Sequence, residues 1–171
     1  MFNPEKSRQT IRMRNFNYKS TVNYFVTLCT NERLCLFGKI INGVLHLNDA
    51  GHMVHKTIAN INNHHFEVIV KDFIVMPNHI HAIIFINYEV GPGVLLGNVV
   101  KNFKTYTTCK YINGIDNMGW RQFNNRLWQR GYYESVIRDQ RYIINIKRYI
   151  KNNPANWNND KFSNTVNKAD P

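Results

Sequence analysis

The stretch Val75-Met76-Pro77-Asn78-His79-Ile80-His81-Ala82-Ile83-Ile84-Phe85-Ile86 decides how this chain folds. Its apolar and β-branched residues predict a strand to residue 86, broken near Pro77. A strand sends alternate side chains to opposite faces, so His79 and His81 share one face, one pleat apart. Ile80, Ala82, Ile84 and Ile86 point the other way, towards a core. Two neutral imidazoles so placed can hold one divalent ion and leave positions for oxygen ligands. In a phosphoryl-transfer site such an ion polarises the phosphate. The same spacing also suits two histidines on a half-exposed sheet face.

Outward from this strand, β and α signals alternate. Residues 24–30 and 66–70 read as strands, and Asn42-Gly43 between 39–41 and 44–46 is a hairpin signal. Asn48 is placed to cap a helix to about Ile61, with Met53, Val54, Thr57, Ile58 and Ile61 as its apolar stripe. Gly91-Pro92-Gly93 predicts a turn, followed by helical spacing at Leu95, Leu96, Val99, Val100 and Phe103. Residues 113–125, with Gly114 and Gly119, read as a loop, and 127–137 contain a strand. Asp139 is placed to cap a last helix, with apolar positions at Tyr142, Ile143, Ile146, Tyr149 and Ile150, ended by Pro154. The order β, hairpin, α, β, β, α, β, α predicts an α+β sandwich, an antiparallel sheet with helices mainly on one face. The expected division is a basic arm (1–20, with Lys6, Arg8, Arg12, Arg14 and Lys19), one domain (21–157) and a loose polar tail (158–171).

At 171 residues the chain is long enough for a core without disulfides or a structural metal. It is 43% apolar and 19% charged, which argues against disorder. Lys and Arg number 22 against 11 Asp and Glu, a formal charge of +11 that favours a polyanionic partner. The first twenty residues lack the apolar core of a signal peptide, and no apolar run approaches the ~20 residues of a membrane span. Cys29, Cys35 and Cys109 have no C-x-x-C spacing and read as free thiols, so a cytoplasmic location and no membrane are expected.

The last helix carries further chemistry. Tyr149 and Asn153 are i, i+4 and share a face, on a stripe continued by Asn145 and Tyr142. A tyrosine facing a metal-bound phosphate can form a phosphotyrosine ester, and an asparagine carbonyl can serve as a third ligand. Tyr142 and Tyr149 are also ordinary core positions of an amphipathic helix. His52 with His55, and His64 with His65, have no neighbouring cysteine or carboxylate pattern and read as solvated surface; His46 reads as a strand residue.

Taken in order, residues 24–30, 75–81, Leu127-Trp128-Gln129-Arg130-Gly131-Tyr132-Tyr133-Glu134, 136–138 and Arg148-Tyr149-Ile150-Lys151-Asn152-Asn153-Pro154 resemble the REP-associated tyrosine transposases. These belong to the IS200-like single-tyrosine HUH transposases. The resemblance runs from about Tyr18 to Trp157. It implies a ferredoxin-like sheet with the histidine pair on a central strand. It implies cleavage of single-stranded DNA near hairpins (palindromic repeats), with Mg²⁺ or Mn²⁺, through a 5′-phosphotyrosine. His79 and His81 match the metal pair, Tyr149 the nucleophile, and Asn153 a third polar ligand. Tyr142 is the fallback nucleophile, although its spacing from Pro154 does not fit the motif. Relatives include monomers and homodimers, and both stay open here.

Single-strand binding needs cations for phosphates and flat side chains for bases. Lys101, Lys104 and Lys110 with Tyr106 and Tyr111, and Arg121, Arg126 and Arg130 with Phe123, Trp128, Tyr132 and Tyr133, are the candidate DNA contacts. Each cluster also reads as ordinary structure: a solvated helix face, and a core strand in which Trp128 is buried. Two other functions compete, a non-catalytic hairpin-binding module and a metal-dependent hydrolase that uses water as nucleophile.

Overall fold

The computed structural model describes residues 21–90 and 93–163. The basic arm, the Gly91-Pro92 part of the expected turn and residues 164–171 of the expected tail lie outside the described residues. Among those described, the elements follow the expected order. They are β1 (Val22–Cys29), β2 (Gly38–Ile41), β3 (Val44–Leu47), α1 (Asp49–Ala59), β4 (Val68–Met76), β5 (His79–Ile86), α2 (Leu96–Met118), β6 (Tyr133–Ile137) and α3 (Gln140–Asn152). The β2–β3 hairpin turns on Asn42 and Gly43, at φ 51° and 77°, the positive pair that a two-residue hairpin turn requires. Asn48 Oδ1 accepts from Gly51 N at 2.9 Å and caps α1, and Asp139 Oδ1 accepts from Arg141 N at 3.0 Å and caps α3.

The main sheet has the order β4-β5-β1-β6, with every adjacent pair antiparallel. This is the ferredoxin-like split β-α-β arrangement, with the β2–β3 hairpin inserted before α1. Two helices cover one face. There α1 and α2 bury Val54, Ile58, Val99 and Phe103 against Val26, Ile80, Ala82 and Ile84. The third helix covers the opposite face, where Ile143, Ile146 and Ile150 of α3 pack on Phe25 and Ile83.

Three expectations need correction. The separate strands expected at 66–70 and 73–86 divide elsewhere. β4 runs on to Met76 with a bulge between Val70 and Asp72, and the reversal falls at Pro77-Asn78, where the missing proline amide costs no ladder bond. Residues 113–118 are helical, not a loop. Gly114 lies against the Trp120 indole so closely that a Cβ would sit 2.2 Å from a ring carbon, and it is Gly119, at φ 68°, that ends α2. Residues 158–163 are not a loose tail. Phe162 is 2% exposed, because its ring finds those of His79, His81 and Tyr133. Trp128 is buried as expected of a core residue, with Nε1 donating to Thr107 Oγ1 at 2.9 Å.

Candidate active site

Strand register builds the site. Thr27 and Ile74 stand opposite His81, and Cys29 and Met76 opposite His79. Directly opposite residues share a face, so Thr27 Oγ1 meets His81 Nδ1 at 2.8 Å. Asn78, at the turn, donates through Nδ2 to the carbonyls of Arg33 (3.0 Å) and Phe162 (2.9 Å). These bonds fix the amide, leaving Oδ1 to accept from His79 Nδ1 at 2.8 Å. A proton held on Nδ1 leaves the His79 Nε2 lone pair facing inward, so Asn78 sets that tautomer, while the Thr27 hydroxyl holds the His81 ring in place.

The rings are fully buried, with centroids 4.5 Å apart, rather than on a half-exposed face. Burial keeps them neutral. It lowers His81 to about 3, with nearby Lys161 adding to the effect. His79 lies well below its ordinary value through burial, then through His81 and Arg33.

α3 brings Tyr149 over this pair, its hydroxyl 3.2 Å from His81 Nε2 and its ring edge-on to both Phe25 and His81. Burial raises the phenol above its ordinary value, and the Asp160 carboxyl adds to the shift. One turn on, Asn153 caps α3, 2% exposed, its side chain adjoining His79, Tyr149 and Asp160. Tyr142, two turns earlier, packs on the Phe25–Ile83 cluster.

Past α3 the 3-10 turn Trp157–Asn159 folds back so that Trp157 stacks on His79, with centroids 6.0 Å apart. Asp160 follows, its Oδ2 3.4 Å from His79 Nε2 and its Oδ1 accepting from Phe162 N. Burial raises its carboxyl above the usual range, opposed first by that Phe162 amide.

Sequence reasoning missed Asp160, and the one signal for it was an aromatic residue, Phe162, inside a polar stretch. His79, His81 and Asp160 offer ligand atoms within 4.8 Å of one another. Among the described residues His79 Nε2, Asp160 Oδ2 and Asn153 Oδ1 are buried without a hydrogen-bond partner of good geometry. Three buried nitrogen and oxygen atoms of ligand type, gathered at one point, fit a cation.

Of the expected DNA contacts, the lysines fall elsewhere. Lys101 and Lys104 belong to α2, on the sheet face away from the histidines. Lys104 Nζ donates to the carbonyls of Gln129 and Gly131, at 2.8 Å each, and burial lowers it to about 8. Arg121 and Arg130 are exposed and Arg126 is half-buried, all in the 119–132 segment. No described helix is long and apolar enough to cross a membrane.

Residues 18–153 match the family described as "Transposase IS200 like". An uncharacterised protein of Haemophilus influenzae is 34% identical over 176 residues, spanning 91% of this chain and 92% of that protein. A crystal structure of a candidate transposase from Deinococcus radiodurans shares the fold at TM-score 0.53 and 15% identity, over 81% of this chain and 94% of the other. A REP-associated tyrosine transposase bound to a REP hairpin does so at TM-score 0.56 and 18% identity, over 82% and 70%.

Proposed function

The chain belongs to the IS200-like transposase family, and from that premise we propose that it cuts and rejoins single-stranded DNA beside hairpins through a 5′-phosphotyrosine on Tyr149. The observation that carries this reading is the placement of the Tyr149 hydroxyl 3.2 Å from His81 Nε2, beside the ligand-type atoms of His79 and Asp160. His79, His81 and Asp160 would hold a divalent ion, Mg²⁺ or Mn²⁺, with Asn153 Oδ1 beside them. When bound, it supplies charge stabilisation for the scissile phosphate.

The protein's own groups do the rest. Tyr149 enters the reaction as a neutral phenol, because burial opposes its ionisation. Its oxygen attacks phosphorus, the Tyr149 O–P bond forms, the P–O3′ bond breaks, and the departing strand end leaves as a 3′-hydroxyl. Attack by a 3′-hydroxyl on the ester reverses the step and restores the phenol. Asn78 and Thr27 hold the imidazoles in place, and Trp157 and Phe162 exclude water from around them. A hairpin partner is supported by the likeness to the structure solved with a REP hairpin.

Incubation with hairpin-bearing single-stranded DNA and Mn²⁺ tests this. We expect a protein–DNA adduct that survives detergent and disappears with Tyr149→Phe but not with Tyr142→Phe. Cleavage without an adduct would indicate water as nucleophile, and binding without cleavage a non-catalytic module.

A further inference from the structure

A groove of about 870 Å³ runs along the β4 edge, between α3 and the last turns of α1. Its walls are basic: Lys71 from the strand, and Lys147, Arg148 and Lys151 from the helix. The arrangement follows from local structure. Ile143, Ile146 and Ile150 take the buried face of α3, which puts Lys147, Arg148 and Lys151 on its outer side. The β4 bulge adds Lys71, whose Nζ reaches Asn23 Oδ1 at 3.1 Å and lies over the Phe85 ring. Asp72 is the acid of the groove, and Lys147 pairs with it at 3.0 Å. Among the described residues Lys71, Arg148 and Lys151 meet no carboxylate. The groove therefore keeps a net positive charge.

Two further features narrow the ligand. The rings of His55 and Phe73 lie 4.8 Å apart in its wall, a surface on which an unpaired base can rest and a duplex cannot. The groove also adjoins the site. Ile74, which lines it, stands opposite His81 in the sheet, and Arg148 precedes Tyr149 in α3.

Resting on the reading of Tyr149 as nucleophile, we propose that this groove holds the single-stranded flank on one side of the scissile phosphate. Lys71, Arg148 and Lys151 contact its phosphates, and the His55–Phe73 pair receives a base.

The test uses the full chain with Tyr149→Phe, so that binding is read without cleavage, and hairpin oligonucleotides whose flank is cut back to the scissile phosphate on the 5′ or the 3′ side. Adding Lys71→Gln, Arg148→Gln and Lys151→Gln should weaken binding by about tenfold or more for oligonucleotides that keep one of the two flanks. Single strands lose ~0.7 in log–log salt slope per phosphate contact, so the slope should become shallower by about 2. Oligonucleotides lacking that flank should bind as before, and the thermal midpoint should not move. Lys151→Gln alone, an exposed change, should shift the slope by ~0.7.

Equal weakening for every oligonucleotide, equal weakening for a blunt duplex, or an unchanged slope overturns the groove. The two readings fail separately. If no adduct forms with Tyr149 intact but the flank dependence holds, only the catalytic reading falls. If the adduct forms and the slope does not change, only the groove falls.

Discussion

Asn78 is fully buried, and each of its side-chain bonds fixes another group: its amide holds the carbonyls of Arg33 and Phe162, and its oxygen holds the His79 ring. Alanine there strands a buried N–H on His79 and two carbonyls at once. Asn78→Ala should therefore cost about 1–3 kcal/mol of stability and weaken Mn²⁺ binding by ~10–100-fold, read by denaturant melts and titration calorimetry. Thr27→Val is the sharper probe, because valine keeps the shape and removes only the hydroxyl at His81 Nδ1. It should leave the fold intact yet lower both Mn²⁺ affinity and the rate of adduct formation. Unchanged values for both would show that Thr27 does not hold the His81 ring for the site.

In α2, two glycines of the same helix have opposite surroundings. A Cβ on Gly114 would meet the Trp120 ring at 2.2 Å, whereas one on Gly97 would meet nothing nearer than the Tyr132 hydroxyl at 3.7 Å. Gly114→Ala should destabilise by about 1–3 kcal/mol through overpacking. Gly97→Ala should stabilise by up to about 1 kcal/mol, since a helical glycine is otherwise a liability. Urea melts of the pair check both signs. The same contrast explains what the sequence could show. Strand alternation put His79 and His81 on one face, and the caps at Asn48 and Asp139 set helix starts, because those signals are local. Gly114 stays helical because of Trp120, six residues on and outside the helix, so its reading as a loop residue followed the local rule and missed the packing. Asp160 was illegible for a related reason. It reaches His79 only because Phe162 and Trp157 pack on the histidine rings, and nothing in a polar stretch announces that fold-back. Lys71 entered the groove through a bulge, which period-two reading does not register.

Two neutral imidazoles buried at one point couple the whole fold to pH. His81 shows the sign: its ordinary value is 6.5, burial lowers it to about 3, and its nitrogens face the hydroxyls of Thr27 and Tyr149. Between those values the unfolded chain binds a proton that the folded chain does not. Stability from this group is thus present above 6.5 and is lost as pH falls towards about 3. His79 shifts in the same direction. Asp160 opposes them. Its folded value is raised above 3.8, so its contribution falls as pH rises through that window. With two histidines against one acid, the melting midpoint in EDTA should drop on going from pH 7 to pH 5. His81→Gln should flatten that drop, and Asp160→Asn should steepen it, because the group that gains on acidification is gone. Saturating Mn²⁺ should add about 2.7 kcal/mol at a hundred times its Kd. That increment should shrink towards pH 5, since protons compete for the same nitrogens. A level midpoint in EDTA, together with an Mn²⁺ increment indifferent to pH, would mean that the two imidazoles are not the neutral buried pair on which the site depends.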